Sequence, residues 1–258
     1  MFPLTVARIG SPNISRYFSR RTARLAWRAP YRIKGMRYLL VGFCLSWIAG
    51  IATAQGVPRA KDGHPDLTGV WNPDGKFAGD FVKALKPGDK ISLLASAAKI
   101  MKDRKKTNDP ANRCLPMGVP RLSTYPQKFV QTRAEIIILD EGDIHTFRII
   151  YLEGRQHPAE VNPTWYGDSI GRWDGDTLVV DTTGFNDRTW LDAAGHPHTE
   201  QLHVTERYKR PDADTLLREV TVEDPGAYAK PFTLEGSFKL VPNGEIRERY
   251  CYTSPVDK

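Results

Sequence analysis

The sequence predicts a mainly β protein: an eight-stranded antiparallel up-and-down barrel with an N-terminal helix and a proline-rich wrap. After Gln127 the apolar residues recur with the two-residue period of strands, and Gly-containing turn signals separate many of the runs. No helical pattern long enough for a parallel crossover intervenes, so neighbouring strands are expected to pair antiparallel. Closing eight such strands into a barrel removes their exposed edges.

Residues 1–54 are predicted to be a leader that ends in a secretory signal peptide. Residues 36–54 combine a basic start, an uncharged apolar run of about 14 residues and a small-residue Ala-Thr-Ala site. The run is shorter than the roughly 20 residues that a membrane-spanning helix requires. We therefore expect cleavage before Gln55, no stable membrane span afterwards, and a periplasmic or extracellular location. Because residues 1–35 would make an unusually long basic region, Met36 is the expected start of translation.

The excess positive charge of the chain lies in this leader. The full sequence has 37 Lys and Arg against 30 Asp and Glu, a formal net charge of +7. The leader holds nine of the basic residues and none of the acidic ones, so 28 basic and 30 acidic residues follow it. The remaining chain lacks the basic excess of a nucleic-acid-binding domain, and no nucleic-acid partner is expected.

Residues 55–126 are predicted to form the helix and an irregular wrap, packed with a barrel of residues 127–258 as one domain. Residues 89–106 have apolar side chains near helical spacing, with Asp89 or Ser92 as the N-cap. Residues 109–121 contain three prolines. Because proline fits neither a helix interior nor a central strand, this wrap is predicted to run over the surface.

Eight runs with the period and composition of strands follow, most of them joined by tight turns. They cover residues 128–140, 143–152, 164–173, 176–183, 201–210, 215–222, 232–241 and 245–252. The dipeptides Glu141-Gly142 and Asn243-Gly244 favour two-residue hairpin turns. These turns would place opposite charges opposite each other: Glu135 with Arg148, and Lys239 with Glu248.

Cys44 lies in the predicted leader, so two cysteines, Cys114 and Cys251, remain after cleavage. Neither lies in a CxxC motif or at metal-ligand spacing. An even pair in an exported protein favours a disulfide over two free thiols. We therefore predict a Cys114–Cys251 disulfide that ties the wrap to the last strand.

Several motifs resemble those of an uncharacterised family of exported bacterial proteins. They are PDLTGVW, CLPMGVPR, GRQHP, SIGRWDGDTLVVDTTGFNDRTWLD and GHPHTEQLHVTERYKR, and they cover nearly the whole chain after the leader. The resemblance implies export but no particular activity. Gly69-Val70-Trp71 is also similar to the Gly-x-Trp at the start of lipocalin and calycin barrels, although a long irregular segment follows Trp71 here.

The stretch GDSIGRWDGDTLVVDTTGFND, residues 167–187, predicts a hairpin that carries two close carboxylates. With Asp174-Gly175 as a two-residue turn, Asp168 faces Asp181. Like charges at such a pair raise one pKa or recruit a cation or an arginine. Our hypothesis is that the pair belongs to a partly enclosed polar site. The alternative is an outer face where water screens both charges.

Loops on either side of this hairpin supply imidazoles. We predict a catalytic acid–base group of His157, Asp168, Asp181 and His198, with Arg155 binding an anion. His196 and His198 alternate as metal ligands can, but metal binding is the weaker interpretation, and no metal or cofactor is predicted.

Aromatic residues concentrate around the same elements and are candidate ligand-binding residues: Trp165, Tyr166, Trp173, Phe185 and Trp190. Packing in the core is the alternative for most of them. The predicted function is to hold a small, largely apolar or aromatic molecule in the barrel mouth. The first alternative is an isomerase, lyase or hydrolase that uses the His/Asp pair there. The second is a structural envelope protein without a pocket.

Overall fold

The computed structural model describes residues 56–121, 124–142, 147–160 and 162–251. The strands are β1 (Gly69–Pro73), β2 (Gln127–Gln131), β3 (Glu135–Asp140), β4 (Phe147–Tyr151), β5 (Asp168–Asp174), β6 (Thr177–Thr183), β7 (His203–Lys209), β8 (Thr215–Glu223) and β9 (Phe232–Val241). The α-helix α1 is Ala95–Asp103, and 3-10 helices cover Phe81–Ala84, Lys106–Asn108 and Pro110–Arg113. The predicted leader and its cleavage site lie outside the described residues. None of the described helices is long and apolar enough to cross a membrane.

The nine strands close into a mixed barrel in chain order, with β9 pairing to β1. Every neighbouring pair is antiparallel except β4 and β5, which run parallel and align Ile150 with Ser169. The β-barrel prediction is confirmed, whereas eight strands and a purely antiparallel order are wrong. A parallel pair needs a long return connection, and residues 152–167 provide it, with no helix at the positions that the structure describes there.

Two predicted strands differ from the observed ones. The run 128–140 is divided into β2 and β3 by a turn in which the Thr132 hydroxyl hydrogen-bonds to the backbone of Glu135. The run 245–252 is not a strand as far as Cys251, and its last residue lies outside the described part of the chain. β1 closes the barrel against β9 instead, with Val70 opposite Val241.

The predicted charge pairs across two hairpins are also wrong. Glu135 lies opposite Tyr151, because the connection between β3 and β4 is longer than a two-residue turn. Lys239 pairs with residues of β1 and β8, and as far as Cys251, where the described part of the chain ends, no strand follows β9 to place Glu248 opposite it.

The wrap does not lie wholly on the surface: its two ends are buried, whereas Asn112 and Arg113 between them are exposed. Asp109 and Arg121 are almost fully buried and form a bidentate ion pair at 2.9 and 2.7 Å. The carbonyl of Pro120 accepts a hydrogen bond from the buried Arg218 Nη1 at 3.2 Å. The segment can therefore pack against the barrel, because its buried polar groups have hydrogen-bond partners: Arg121 pairs with Asp109, and the Pro120 carbonyl with Arg218.

The helix α1 is shorter than predicted and begins after Leu94, which provides no side-chain cap. Asp89 does not cap it and instead accepts a hydrogen bond from the backbone N–H of Thr233. The Cys114–Cys251 disulfide is confirmed, with 5.7 Å between the Cα atoms. It joins the wrap to the segment after β9.

Alternate side chains of the strands point into the barrel. On β6, Leu178, Val180 and Thr182 are fully buried, whereas Asp181 between them is partly exposed. One apolar cluster surrounds Trp71 and Leu178, and a second extends from the strands to the packed N-terminal segments. The alternation determines which residues can form a site on the outer wall.

A buried ionic network occupies part of the barrel interior. Glu206 on β7 accepts hydrogen bonds from Arg148 on β4 and from Arg218 on β8. Arg148 also donates to the hydroxyls of Ser169 and Thr182. Because two strands separate β4 from β7, the Arg148–Glu206 pair reaches across the interior. Both guanidinium groups favour the charged carboxylate more strongly than burial opposes it, so the pKa of Glu206 falls to about 2.

Candidate functional site

The hairpin of β5 and β6 turns one residue later than the sequence suggests. Asp174 pairs with Thr177, so the turn residues are Gly175 and Asp176. As a result Asp168 lies opposite Thr183, and Asp181 lies opposite Ile170. The predicted direct pairing of Asp168 with Asp181 is wrong. A shift of two residues nevertheless leaves both carboxylates on the same face.

This face is the outer wall of the barrel. Ser169 and Thr182, the neighbours of the two aspartates along their strands, are buried. The side chains of Asp168 and Asp181 are 14% and 39% exposed. The loop that precedes β5 lies close to the hairpin at Gly167, where φ is +67° and a Cβ would lie 2.5 Å from the Thr183 carbonyl. The aspartates are therefore partly covered by a loop but do not point into the barrel.

His157 connects the two aspartates. Its Nδ1 lies 2.8 Å from Asp168 Oδ1, and its Nε2 lies 2.9 Å from Asp181 Oδ1. A neutral imidazole carries one N–H, so it donates to only one of these carboxylates. Both contacts are donor bonds when the ring carries two protons. The ring therefore links the two carboxylates, which would otherwise be adjacent like charges.

Arg155 extends this row of charges. Its Nη2 donates to Asp168 Oδ2 at 2.8 Å, and its guanidinium stacks on the ring of Tyr151 at 3.7 Å. The structure thus brings together four of the predicted residues, Arg155, His157, Asp168 and Asp181. Stacking and the ion pair hold the guanidinium in place while part of it stays exposed.

His203 completes the group, although the sequence analysis did not assign it a role. Its Nε2 lies 2.7 Å from Asp181 Oδ2, and its Nδ1 lies 3.9 Å from Glu223 Oε2, beyond hydrogen-bond distance. Asp181 pairs with Thr205, so His203 is two residues away on the same face of β7. Strand alternation would have identified it once β7 was placed beside β6. We call Arg155, His157, Asp168, Asp181 and His203 the outer-wall cluster.

The electrostatics of the cluster centre on Asp181. Partial burial raises the pKa of this carboxyl, but hydrogen bonds from His203 and His157 lower it more, and the net shift is downward. Asp181 therefore stays ionised at neutral pH. The ionised carboxylate beside Nε2 orients the ring of His203.

His198, predicted to reach the same site, lies elsewhere. It is buried, its Nε2 lies 2.6 Å from Thr189 Oγ1, and its Nδ1 lies 3.2 Å from the Thr199 carbonyl. Donation from Nδ1 to that carbonyl leaves Nε2 to accept from the threonine hydroxyl. Burial lowers the pKa of His198, which favours the neutral ring. Its contacts are those of a core histidine, because each ring nitrogen has a hydrogen-bond partner within the protein.

His196 also has partners of its own and is not paired with His198. Its Nδ1 lies 2.7 Å from Asp192 Oδ2, and its backbone N–H donates to Asp192 Oδ1. Ligand-type atoms of Asp80, Asp192 and His196 lie within 4.8 Å of one another. Asp80 accepts a hydrogen bond from the backbone N–H of Val82, and Asp192 accepts one from that of Phe81. Hydrogen bonding within the protein therefore accounts for the clustering of these three side chains.

The five aromatic candidates do not converge on one cavity. Phe185 and Trp190 are buried, and Arg104 packs over the Trp190 ring at 4.8 Å. Trp173 is partly buried and stacks on His64 with 4.6 Å between ring centroids. Trp165 and Tyr166 are partly buried in the loop before β5. Core packing accounts for most of this concentration.

The fold and the site define a closed β-barrel protein with a histidine–carboxylate cluster on its outer wall. None of the family models, curated proteins or solved structures compared with this chain matches it.

Proposed function

We propose that this protein is an exported acid–base enzyme that acts on a small molecule at the outer-wall cluster. The observation that carries the proposal is the position of His203. Asp181 holds its Nε2, while its Nδ1 has no hydrogen bond within the described part of the chain. A ring nitrogen oriented in this way is suited to accept and return a substrate proton.

The neighbouring groups support the same chemistry. When His203 takes a proton on Nδ1, the ionised Asp181 stabilises the resulting imidazolium. Arg155 supplies positive charge beside the site, where a substrate oxygen that becomes negative during the reaction would be stabilised. The reaction classes that need only such proton transfer are isomerisation, elimination and hydrolysis. No metal or cofactor is required by these residues.

The outer wall is favoured over the barrel mouth because of the interior packing. Side chains of β4, β7 and β8 meet inside the barrel in the Arg148–Glu206–Arg218 network. A cavity beside Arg218 and Gln127 measures about 10 Å³, room for one water. An apolar ligand in the interior would have to displace buried ion pairs, at considerable cost.

Export is supported by two independent features. The chain contains a disulfide, which persists in oxidising compartments. Residues 1–54 have the composition of a leader with a signal peptide. A small-molecule substrate outside the cytoplasm is therefore the proposed partner.

Chemical modification tests the reactivity of His203 without knowledge of the substrate. Diethyl pyrocarbonate reacts with accessible unprotonated imidazole nitrogens, and peptide mass spectrometry locates the product. We expect His203 to react before His157, both of whose nitrogens contact carboxylates. Asp181→Asn should change the rate at His203, whereas His64→Gln should not. Equal rates at His203 and His157 would contradict the proposal.

Turnover is tested with the purified protein from Gln55 onward. p-Nitrophenyl acetate and p-nitrophenyl phosphate probe hydrolysis, and native mass spectrometry of protein purified from the export compartment identifies bound molecules to assay next. For an active substrate, His203→Gln should reduce kcat by about 10²–10⁴-fold, the usual contribution of a general acid–base. Unchanged turnover in His203→Gln, with His64→Gln as the matched control, would exclude this role.

A further inference from the structure

A second concave surface lies on the outer wall, where β6 to β9 lie side by side. It encloses about 470 Å³, within the range of small-molecule sites. Leu217 lines it and is 42% exposed, with Lys209 opposite on β7 and Ser237 opposite on β9. An exposed apolar side chain therefore lies in the middle of a polar surface. We call this surface the β7–β9 groove.

One side of the groove carries basic side chains. Lys209 is exposed and makes no ion pair within the described residues. Arg207 donates through Nη2 to Asp174 at 3.0 Å, which leaves its other guanidinium N–H groups available. The Nζ of Lys76 lies 3.6 Å from Asp74 Oδ2. Asp74 also accepts hydrogen bonds from the backbone and hydroxyl of Ser237, so its charge is shared.

The two acidic side chains of the groove share one lysine. Glu219 and Glu235 lie directly opposite each other on β8 and β9, where like charges repel. Lys86 offsets this repulsion, with its Nζ 2.5 Å from Glu219 and 3.9 Å from Glu235. Lys86 balances one of these two negative charges, and Arg207 lies directly opposite Glu219 on β7. The positive charge of the groove is therefore concentrated at the other end, at Lys209 opposite Leu217.

The geometry points to a binding site for a small amphipathic anion, a carboxylate with an apolar chain or ring. The carboxylate contacts Lys209 and Arg207, and the apolar part covers Leu217. Covering Leu217 removes apolar surface from water, and this favours binding of the apolar part. The two cations attract the carboxylate. The site is separate from the outer-wall cluster, because His203 and Lys209 are at opposite ends of β7, about 20 Å apart along the strand.

The test is a titration of the isotope-labelled protein with octanoate, followed through its backbone amide NMR signals. We expect saturable shifts at Lys209, Leu217 and Ser237, weaker binding of the matched neutral 1-octanol, and weaker octanoate binding at high salt. Lys209→Glu should weaken octanoate binding about tenfold, since it replaces an attraction by a repulsion. Leu217→Ser should weaken it while leaving the salt dependence unchanged.

Lys102→Glu, on the exposed side of α1, is the matched charge control and should bind octanoate as the wild type does. The inference is wrong if octanoate causes no saturable shift of the groove signals at concentrations up to 10 mM. It is also wrong if Lys209→Glu and Lys102→Glu bind equally. Shifts at Arg155 and His203 instead would assign the anion to the outer-wall cluster and remove the groove as its site.

Discussion

Asp168 and Asp181 lie two positions out of direct register on the same outer face, and His157 bridges them with contacts of 2.8 and 2.9 Å. This relationship places two like charges in one hydrogen-bonded row with Arg155 and His203. It also attaches the loop before β5 to the barrel wall.

Removing the His157 side chain should loosen the loop that carries it. His157 contacts Asp168 at 2.8 Å and Asp181 at 2.9 Å and so joins the loop to both strands of the hairpin. His157→Ala removes both contacts, and hydrogen exchange of residues 152–160, corrected for intrinsic rates, should become faster than in the wild type. His64→Ala, which removes the ring that stacks on Trp173, is the control and should leave exchange in this loop unchanged. Equal exchange in His157→Ala and the wild type would contradict the prediction.

Removing the charge of Glu206 should destabilise the barrel strongly. Glu206→Gln leaves Arg148 and Arg218 as buried positive charges without a carboxylate, a loss of about 3–5 kcal/mol in the free energy of unfolding. Urea denaturation measures it. The exposed Glu223→Gln is the control and should change stability by less than about 0.5 kcal/mol. A small effect of Glu206→Gln would show that the network does not hold the interior together.

The same carboxylate predicts how the protein responds to acid. The pKa of Glu206 falls from an ordinary 4.5 to about 2 on folding. A lowered pKa stabilises the folded state fully above the unfolded value, and this stabilisation is lost as the pH falls from 4.5 toward 2. Urea midpoints of the wild type should decline over this range. In Glu206→Gln the decline should be smaller, and an identical decline would contradict the assignment.

Reducing the disulfide should lower the stability of the folded chain. Cys114 and Cys251 are 137 residues apart, and closing a loop of this length stabilises by about 5 kcal/mol in the chain-entropy model. The double variant Cys114→Ser/Cys251→Ser should unfold at lower urea, and dithiothreitol should have no further effect on it. If dithiothreitol lowers the wild-type midpoint by no more than it lowers that of the variant, the bridge does not stabilise the fold.

Export with removal of the leader should yield a chain that begins at or near Gln55. The short apolar run and the Ala-Thr-Ala site predict this cleavage. Intact mass of the protein recovered from the export compartment measures it. A recovered product that retains residues 1–54 would contradict the prediction.

The sequence by itself determined the features that depend on local pattern. Two-residue periodicity located most of the strands, because alternation of buried and exposed side chains is a property of each strand alone. It also placed Asp168 and Asp181 on one face, since the error of two residues in register preserves the face. The Cys114–Cys251 pairing followed from the cysteine count and the leader, without any knowledge of the fold.

Only the tertiary structure decided features that join distant parts of the chain. Strand β1 closes the barrel because its partners β2 and β9 are far away in the sequence, and no local signal identifies them. His203, rather than His198, reaches Asp181 because β7 pairs with β6, while His198 finds Thr189 in the core. The carboxylates point outward because alternation along β5 and β6 places their neighbours Ser169 and Thr182 inside, beside the buried Arg148. Arg148 is stable there because Glu206 on β7 pairs with it. Burial of a charged residue requires its partner, and the sequence does not show where that partner lies.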